Sequence, residues 1–229
     1  MHRDDSSYSP LFLALFTAFL TSLLVSNVIA GKLIEIGGIT LPSAVILFPV
    51  TYILSDVFTE VYGFRRTRMV IWGGFAANLL MSLIFILAIK LPFPAFFQDQ
   101  EAYARVLGMT PRVVAASLLA YWAGEFANSI VLSILKKATK GRHLWARTIG
   151  STIVGQGLDT ILFIGIAFMG IVPAPVLLQM ILAQYLFKVS YEVLFTPLTY
   201  IVVRAVKKHE GMDTFDDKVA YNPFKLGGR

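Results

Sequence analysis

Length, composition and charge already narrow the class of this protein. The chain has 229 residues, 56% of them apolar and 15% charged, with a mean hydropathy of +0.70. A soluble domain carries about 25% charged residues, so this composition excludes a soluble globular protein and is typical of a polytopic membrane protein. The net charge of +6 does not indicate nucleic-acid binding, because the basic residues cluster at the ends of apolar segments, where they direct insertion.

Six apolar segments predict an all-α bundle of six transmembrane helices, forming one domain over 1–229. The spans are predicted at 10–31, 41–62, 68–90, 112–135, 146–170 and 175–203, with a cytoplasmic tail at 204–229. The first segment is not followed by a cleavage site and a polar mature chain, so it is interpreted as a retained span and not a signal peptide.

Lysine and arginine are distributed unevenly between the two sides of this bundle. If the N-terminus is cytoplasmic, 15 of the 20 lie on the cytoplasmic side, four on the other side, and Lys188 within a span. The positive-inside rule then predicts that both termini face the cytoplasm. The basic runs at 65–68 and 136–147 are interpreted as determinants of this topology.

Two polar segments and two backbone features complete the pattern. The connection 91–111 is interpreted as a plain connector, with a short interfacial helix at 101–107 as the alternative. The chain beyond Lys208 is polar and is predicted to be poorly ordered. Pro197 is predicted to kink the sixth span, and five glycines between 150 and 170 are predicted to give the fifth span a close-packing surface.

Ionisable side chains inside the spans are the strongest functional signal. They are Asp56, Glu60, Glu125, Asp159, Lys188 and Glu192. One charged group at the centre of a bilayer costs roughly 2.5 to 3.5 kcal/mol, so these groups must face one another, water or a ligand. Hydrogen bonding between helices does not need five acids for one lysine. Such an excess suits proton binding, or a ligand with several N–H donors or a cationic amine.

Helix geometry sorts these groups by depth. At 1.5 Å per residue, Glu125, Asp159 and Lys188 lie near mid-membrane, with Glu192 roughly 5 Å, Asp56 roughly 7 Å and Glu60 roughly 13 Å toward the cytoplasm. Spacings of three or four residues add Asn128 beside Glu125, Gln156 beside Asp159, and Gln184 beside Lys188 and Glu192. Two alternatives stay open: Asn78 and Gln156 act only as helix-packing groups, or Lys188 pairs with Glu192 along one helix face.

Catalytic chemistry finds little support in the sequence. All three histidines, His2, His143 and His209, lie outside the spans, so neither a serine–histidine pair nor a two-histidine metal site can form at depth. The absence of cysteine excludes disulfides and thiolate sites. No phosphate-binding glycine loop is present, and no cofactor or metal is predicted.

Four motifs carry a family resemblance: SNVIAGK at 26–32, LSDVFTEVYG at 54–63, GQGLDT at 155–160 and QYLFKVSYE at 184–192. They resemble those of the queuosine precursor transporter family, also called the vitamin uptake transporter family, over nearly the whole of 10–205. The resemblance implies a multi-pass importer in the bacterial inner membrane. Its substrates would be 7-cyano-7-deazaguanine (preQ0) and 7-aminomethyl-7-deazaguanine (preQ1), salvaged for the queuosine modification of tRNA. It also implies a fold similar to the substrate-binding subunits of energy-coupling-factor vitamin importers.

The chemistry of a deazaguanine base fits the acidic set. A guanine-like edge presents N1–H and an exocyclic amine side by side, and one carboxylate accepts both. We hypothesise that Glu192 or Asp159 binds this edge and that Lys188 holds or neutralises a carboxylate. The other candidate substrate-binding residues are Gln184, Gln156, Glu125, Asn128, Asn27 and Tyr191. Asp56 and Glu60, nearer the cytoplasm, are predicted to gate the pathway or carry protons.

Energy coupling stays open at this level. One reading is a self-sufficient secondary transporter, proton-coupled or facilitative, for these bases or for another vitamin-like or nucleobase solute. Another is a binding subunit that needs a separate ATPase module, with Ala14 and Ala18 as a docking surface. The expected partners are a small-molecule substrate and the lipid bilayer, with a homodimer or an energy-coupling module as further assemblies. A structural or enzymatic membrane protein is the third reading.

Overall fold

The computed structural model of the chain describes residues 8–29, 32–36, 39–108, 111–216 and 219–224. Within these residues lie seven α-helices and one β-hairpin. They are α1 (Pro10–Ile29), β1 (Leu33–Ile36), β2 (Ile39–Pro42), a 3-10 turn (Ser43–Ile46), α2 (Phe48–Val57), a π-helical segment (Phe58–Tyr62), α3 (Phe64–Lys90), α4 (Gln100–Leu107), α5 (Pro111–Ala138), α6 (Leu144–Phe168) and α7 (Ala174–Glu210).

Five of the six predicted spans are confirmed as single helices. α1, α3, α5, α6 and α7 are each long and apolar enough to cross a membrane. α3 begins at Phe64, four residues earlier than expected, and α7 passes through Pro197 and continues to Glu210. The helix therefore continues beyond the predicted end of the span at 203, and its last two turns are polar.

The second predicted span is not one continuous helix, so the expectation for 41–62 was wrong. β1 and β2 pair antiparallel with Leu33 opposite Pro42, which takes the start of that segment into a strand. Helix begins only at Phe48, with Pro49 in its first turn, where the missing N–H is tolerated. The ten α-helical and five π-helical residues that follow extend about 22 Å, less than the roughly 30 Å of a bilayer core.

This short segment lies inside the bundle. Val57, Phe58 and Val61 have no exposed surface. Phe12 and Phe19 of α1 pack edge-on against the Phe58 ring, with centroids 5.5 and 5.9 Å away. Surrounding protein therefore replaces lipid around α2 and the π-helical segment, which is the condition under which irregular backbone is tolerated at membrane depth.

α5 and α6 cross closely through two glycines. A Cβ atom on Gly155 would lie 2.7 Å from Asn128 Cβ and 2.9 Å from the Gly124 carbonyl oxygen, and one on Gly124 would lie 2.7 Å from Asp159 Cβ. The predicted close-packing surface is confirmed here, whereas Gly165 has no atom within 4 Å of its Cβ position. The crossing brings Asn128 and Asp159 to the interface between the two helices.

The connection between α3 and α5 contains a helix, so the plain-connector interpretation was wrong. α4 covers Gln100–Leu107 and buries none of its residues. The Gln100 amide donates to the Ile89 carbonyl at 2.7 Å and ties the start of α4 to the end of α3. The end of the bundle that carries α4 is called the α4 face below.

The chain after α7, described at 211–216 and 219–224, folds back onto the bundle and is called the tail. The expectation of poor order was wrong for these residues. Gly63, at φ +81°, separates the π-helical segment from α3, and each of those helix ends leaves backbone groups without intrahelical partners. The Thr214 N–H donates to the Val61 carbonyl at 3.2 Å, and Asp216 accepts the Phe64 N–H at 3.0 and 3.2 Å. The tail is therefore held in place because it supplies hydrogen-bond partners to the backbone groups at both helix ends.

Further contacts extend the tail across α3 and α5. Arg68 donates to the Asn222 carbonyl at 2.9 Å, and the Trp72 indole donates to the Pro223 carbonyl at 2.8 Å. The Phe224 ring packs against Trp122 with centroids 5.5 Å apart. This end of the bundle, covered by the tail, is called the tail face.

Gly155→Ala and Gly165→Ala form a matched pair of substitutions on one helix. We expect Gly155→Ala to lower the free energy of unfolding by about 1 to 3 kcal/mol, because its methyl group meets Asn128 and the α5 backbone. Gly165→Ala should be neutral or stabilise by up to about 1 kcal/mol, because its methyl group meets open space. Unfolding by SDS titration in mixed micelles measures both, and equal effects of the two changes would contradict the crossing.

Candidate functional site

A cavity of about 200 Å³ lies among α1, α2, α3, α5, α6 and α7. It is smaller than the roughly 300 to 1,000 Å³ of pockets for drug-sized ligands, so it suits a small solute. Six of the residues predicted to bind substrate line it: Asn27, Glu125, Gln156, Asp159, Gln184 and Lys188. Polar residues of three of the four motifs, together with Glu125, thus converge on one cavity, although they are spread over more than 150 positions of the chain. The motif at 54–63 contributes no residue to the lining.

Asp159 and Lys188 form an ion pair in the wall of this cavity. The Lys188 ammonium donates to Asp159 Oδ2, joining α6 to α7. Among the described residues, Asp159 is the acid that forms an ion pair with Lys188. The alternative of a local pair between Lys188 and Glu192 is therefore wrong. Pairing makes both charges tolerable at mid-membrane while leaving the second Asp159 oxygen available to a ligand.

Glu125 faces the same cavity without a cationic partner in the described bundle. The Ser55 hydroxyl donates to Glu125 Oε2 at 2.6 Å and ties α2 to α5. A carboxylate held by one neutral donor keeps several acceptor positions free. Glu125 is therefore the cavity acid best able to accept donors from a solute.

Amide side chains occupy two other parts of the wall. Asn27 of α1 donates to the Asn78 side-chain oxygen of α3 at 2.5 Å, and both line the cavity. Gln156 accepts a long 3.5 Å contact from the Tyr52 hydroxyl. Asn78 and Gln156, for which a packing role stays open, thus both face the cavity as well as a neighbouring helix.

Three predicted binding residues lie outside the cavity lining. Asn128 donates to Asp56 Oδ1 at 3.4 Å, behind the wall toward the tail face. Glu192 is buried and lies within electrostatic range of Asp56. The Tyr191 hydroxyl donates to the Val45 carbonyl at 3.2 Å. Helical spacing by itself does not resolve which residues of a polar stripe reach the cavity.

Sequence reasoning missed a set of neutral residues in the wall. They are the hydroxyl residues Ser26, Thr51, Ser82 and Ser117, and the rings Phe19, Phe48 and Phe163. Single hydroxyl and aromatic residues are common in membrane spans, so they carry no signal by themselves. Tyr52 and Tyr121 could be recognised from the sequence, because they precede the acids Asp56 and Glu125 by one turn.

A second, smaller cavity connects the first to the α4 face. It shares Asn27, Met81, Ser82 and Val114 with the first cavity and reaches Val106 and Leu107 of α4. Together the two cavities lead from the Asp159 and Lys188 pair toward α4. The tail lies at the opposite end of the bundle.

Glu60 is the centre of a buried ionic cluster at the tail face. Its side chain is 0% exposed and accepts two bonds from Arg147, at 2.7 and 3.2 Å. The Lys207 ammonium lies 2.7 Å from the same carboxylate and the Lys136 ammonium 3.6 Å from it. Lys136 and Arg147, interpreted from sequence as topology determinants, are thus buried partners of an acid in the π-helical segment.

Lys136 also connects this cluster to the tail. Its ammonium donates to the Glu60 carbonyl at 2.5 Å, to the Thr214 carbonyl at 2.8 Å and to Asp213 Oδ1. Lys207 lies 2.9 Å from the same Asp213 oxygen. The Glu60 carbonyl belongs to the last turn before Gly63, where intrahelical donors are lacking, so Lys136 satisfies it.

Asp213 has a pKa that reflects this arrangement. Burial by itself raises the pKa of its carboxyl group, but hydrogen bonds from Lys136 and Lys207 outweigh burial and hold the pKa below its ordinary value of 3.8. A depressed folded-state pKa contributes stability above the unfolded-state value, and this contribution is lost as the pH falls through the folded-state pKa. The attachment of the tail is therefore fully charged at neutral pH.

The described residues contain no group of three or more histidine and acidic side chains arranged to hold a metal ion. What they contain is a closed ionic cluster at one face and a polar cavity that opens toward the other. A helical bundle with this organisation is a multi-pass membrane protein built to pass a small solute.

Comparison with known proteins agrees with this class. The family model described as "Putative vitamin uptake transporter" matches residues 42–202. The chain therefore belongs to the vitamin uptake transporter family, whose members are transporters and not enzymes, and it is a multi-pass protein of the inner membrane. This confirms the resemblance carried by the four motifs.

Two curated relatives are similar along most of their length. The "Probable queuosine precursor transporter" of Bacillus subtilis (strain 168) is 31% identical over 188 residues, covering 81% of this chain and 81% of that protein. The "Queuosine precursor transporter" of Escherichia coli (strain K12) is 27% identical over 188 residues, covering 80% of this chain and 82% of that protein. No solved structure gives a significant match.

Glu60→Gln and Arg147→Met test the ionic cluster as a double-mutant cycle. Glu60→Gln leaves the buried Arg147 without its acid, so we expect it to lower the free energy of unfolding by about 3 to 5 kcal/mol. Arg147→Met should cost less, because Glu60 keeps Lys207 and Lys136 as partners. The double variant should lose clearly less than the sum of the two. SDS titration measures all three variants. Asp99→Asn, on the exposed connection between α3 and α4, is a control expected to change the free energy of unfolding by no more than about 0.5 kcal/mol. Additive effects would mean that the two groups do not interact.

Proposed function

We propose that this protein imports queuosine precursors, the 7-deazaguanine bases, through the cavity bounded by Glu125, Asp159 and Lys188. The observation that carries the proposal is that two carboxylates face one small cavity beside aromatic rings. The names of the two relatives support the substrate class. A flat base with adjacent N–H donors matches such a wall in both shape and hydrogen bonding.

The roles of the cavity residues follow from the hydrogen-bonding atoms that each residue still has available for a ligand. Glu125 has one neutral donor on one oxygen, so it accepts N1–H and the exocyclic amine of the base through charge-assisted hydrogen bonds. Asp159 keeps one oxygen for the base while Lys188 neutralises the other. Gln156 and Gln184 read the remaining polar atoms, and Tyr52 covers the plane of the base.

Glu192 and Asn128, named from sequence as base-binding residues, receive no direct contact with the base in this proposal. They lie behind the cavity wall, next to Asp56. Asn27 stays in the set through its place in the wall, where its bond to Asn78 joins α1 to α3. Tyr191 supports the turn before α2 through Val45.

Access and release follow from the two faces. The paired cavities lead toward α4, so we assign the α4 face to the outside and the tail face, with both chain ends, to the cytoplasm. Ser9, just before α1, bonds Glu210 at the end of α7 at 2.6 Å, which agrees with termini on one side. Release of the base into the cytoplasm then requires the Glu60 cluster and the tail to separate, which is the gating role expected for Glu60.

A binding subunit for a separate ATPase module is the second candidate. It is favoured by α1, whose Ala14 and Ala18 are exposed on one helix face of small residues. A fold like that of energy-coupling-factor binding subunits belongs to this candidate, as does a homodimer through the same face. Purification from the native membrane separates the cases, because co-purifying nucleotide-binding subunits would favour the module.

Glu125→Gln and Asp159→Asn should each weaken base binding by about 10- to 100-fold, the effect of losing a charged acceptor worth about 1.5 to 3 kcal/mol. Uptake of labelled 7-cyano-7-deazaguanine by cells that cannot make queuosine precursors measures this, with membrane levels of each variant verified. Asp159→Asn combined with Lys188→Met removes both members of the ion pair. This double variant separates loss of binding from the cost of an unpaired lysine.

Asp99→Asn, an acid on the exposed outer connection, is the matched control and should take up the base as the wild type does. Wild-type uptake by both cavity variants at normal expression would overturn the assignment of the cavity.

Glu60→Gln tests the gating role. That role predicts a changed transport rate with unchanged affinity for the base, and a loss of affinity would contradict it.

A further inference from the structure

Asp56 and Glu192 are two buried carboxyl groups that no cation of the described bundle neutralises. Asp56 is 2% exposed and Glu192 is 3% exposed. The cations of α6 and α7 that lie within the predicted spans are already paired, Lys188 with Asp159 and Arg147 with Glu60. A charge left in this position costs several kcal/mol, so at least one of the two groups needs a compensating positive charge.

Asn128 adds an independent observation. Its Nδ2 donates to Asp56 Oδ1 at 3.4 Å, while its own Oδ1 and Asp56 Oδ2 are both buried without a hydrogen-bond partner. Both of these oxygens are acceptors when Asp56 is ionised, so neither can satisfy the other. A hydrogen on Asp56 Oδ2 supplies the donor that both oxygens lack. Rotating the amide by 180° does not remove the need, because it exchanges one acceptor for another.

Among the described residues, the ionisable groups that act electrostatically on Asp56 are acidic. Glu192 comes from α7, Glu125 from α5 and Glu60 from the π-helical segment. Glu60 is neutralised by its own cluster and Glu125 lies in the cavity wall, which leaves Glu192 as the acid that shares the site with Asp56. Two carboxylates in one buried site repel each other, and a bound proton relieves that repulsion.

We propose that Asp56 and Glu192, with Asn128, bind the proton that drives import of the base. The inference rests on the proposed function, since it assigns the coupling ion of the same transport cycle. A proton from outside forms an O–H bond on Asp56 Oδ2 and donates to Asn128 Oδ1. That O–H bond breaks when the proton leaves to the cytoplasm, and no electron is transferred.

The backbone links this proton site to both the cavity and the gate. Ser55 and Asp56 are adjacent on α2, and they bond Glu125 and Asn128, which lie one turn apart on α5. A base that engages Glu125 therefore acts on the same α2–α5 contact that holds Asp56. Glu60 follows Asp56 by one turn, so a shift of α2 also reaches the ionic cluster that closes the tail face.

The experiment uses the full-length protein in proteoliposomes with the membrane potential clamped. The probe is labelled 7-cyano-7-deazaguanine, which is uncharged near neutral pH. Counterflow at equal pH on both sides measures passage of the base without a driving force. Coupling is measured as accumulation of the base under a gradient of one pH unit, with the outside either more acid or more alkaline than the inside. A parallel experiment replaces sodium with choline.

For the wild type we expect counterflow, and up to about tenfold accumulation with the outside acid if one proton moves with each base, because one pH unit corresponds to a factor of ten. Asp56→Asn and Glu192→Gln should abolish this accumulation and keep counterflow within about twofold. A merely structural role would lower both readouts together. Asp99→Asn should accumulate the base as the wild type does.

Three results would overturn the inference. One is wild-type counterflow without any response to the pH gradient, and another is dependence of accumulation on a sodium gradient. The third is wild-type accumulation by Asp56→Asn or Glu192→Gln; two positions are tested so that one variant failing to fold leaves the other decisive. Absence of counterflow in the wild type would instead overturn the proposed function, and this inference with it.

Discussion

Neutralisation of charge within the bilayer is the constraint on which this structure depends. The structure treats the six ionisable side chains of the spans in three ways. Asp159 is neutralised by Lys188 in the cavity wall, and Glu60 is neutralised at the tail face by a cluster of cations that includes Arg147. Three acids, Asp56, Glu125 and Glu192, have no ion pair among the described residues. The unneutralised acids mark the places where an external partner, a base or a proton, completes the balance.

α2 and the π-helical segment connect these places. Tyr52, Asp56 and Glu60 follow one another at intervals of one turn, and they contact the cavity, the proposed proton site and the ionic cluster in that order. The segment is too short to cross a bilayer alone, and it is enclosed by α1, α5 and α7 instead of lipid. An enclosed element that touches all three sites is the part of the bundle best placed to transmit a change from one site to another.

The long helices and the convergence of polar residues could be predicted from sequence, because hydropathy and helical spacing are local properties. Five spans and the placement of Asp159, Gln156, Gln184 and Lys188 around one space depend on little more than these. The choice of ion-pair partner could not be predicted. Lys188 has Glu192 one turn away on its own helix, and only the packing of α6 against α7 brings Asp159 within reach of Lys188.

Two elements were mispredicted for a common reason. The break in the second span and the ordered tail both depend on backbone groups that a hydropathy pattern does not register. The tail is polar, but its polar groups are the partners that the helix ends on either side of Gly63 lack. The basic residues at 136–147 were likewise only partly understood from the sequence. Lys136 satisfies the positive-inside rule, but it is also buried against Glu60.

A structure of the protein with a bound 7-deazaguanine base in a lipid nanodisc is the measurement that tests the account most directly. The account predicts the base in the cavity between Tyr52 and Asp159, with its N1–H and exocyclic amine on the Glu125 carboxylate and the Glu60 cluster intact. A base bound against Glu60, Arg147 and Lys136 at the tail face, or on the lipid-facing surface of α1, would contradict it.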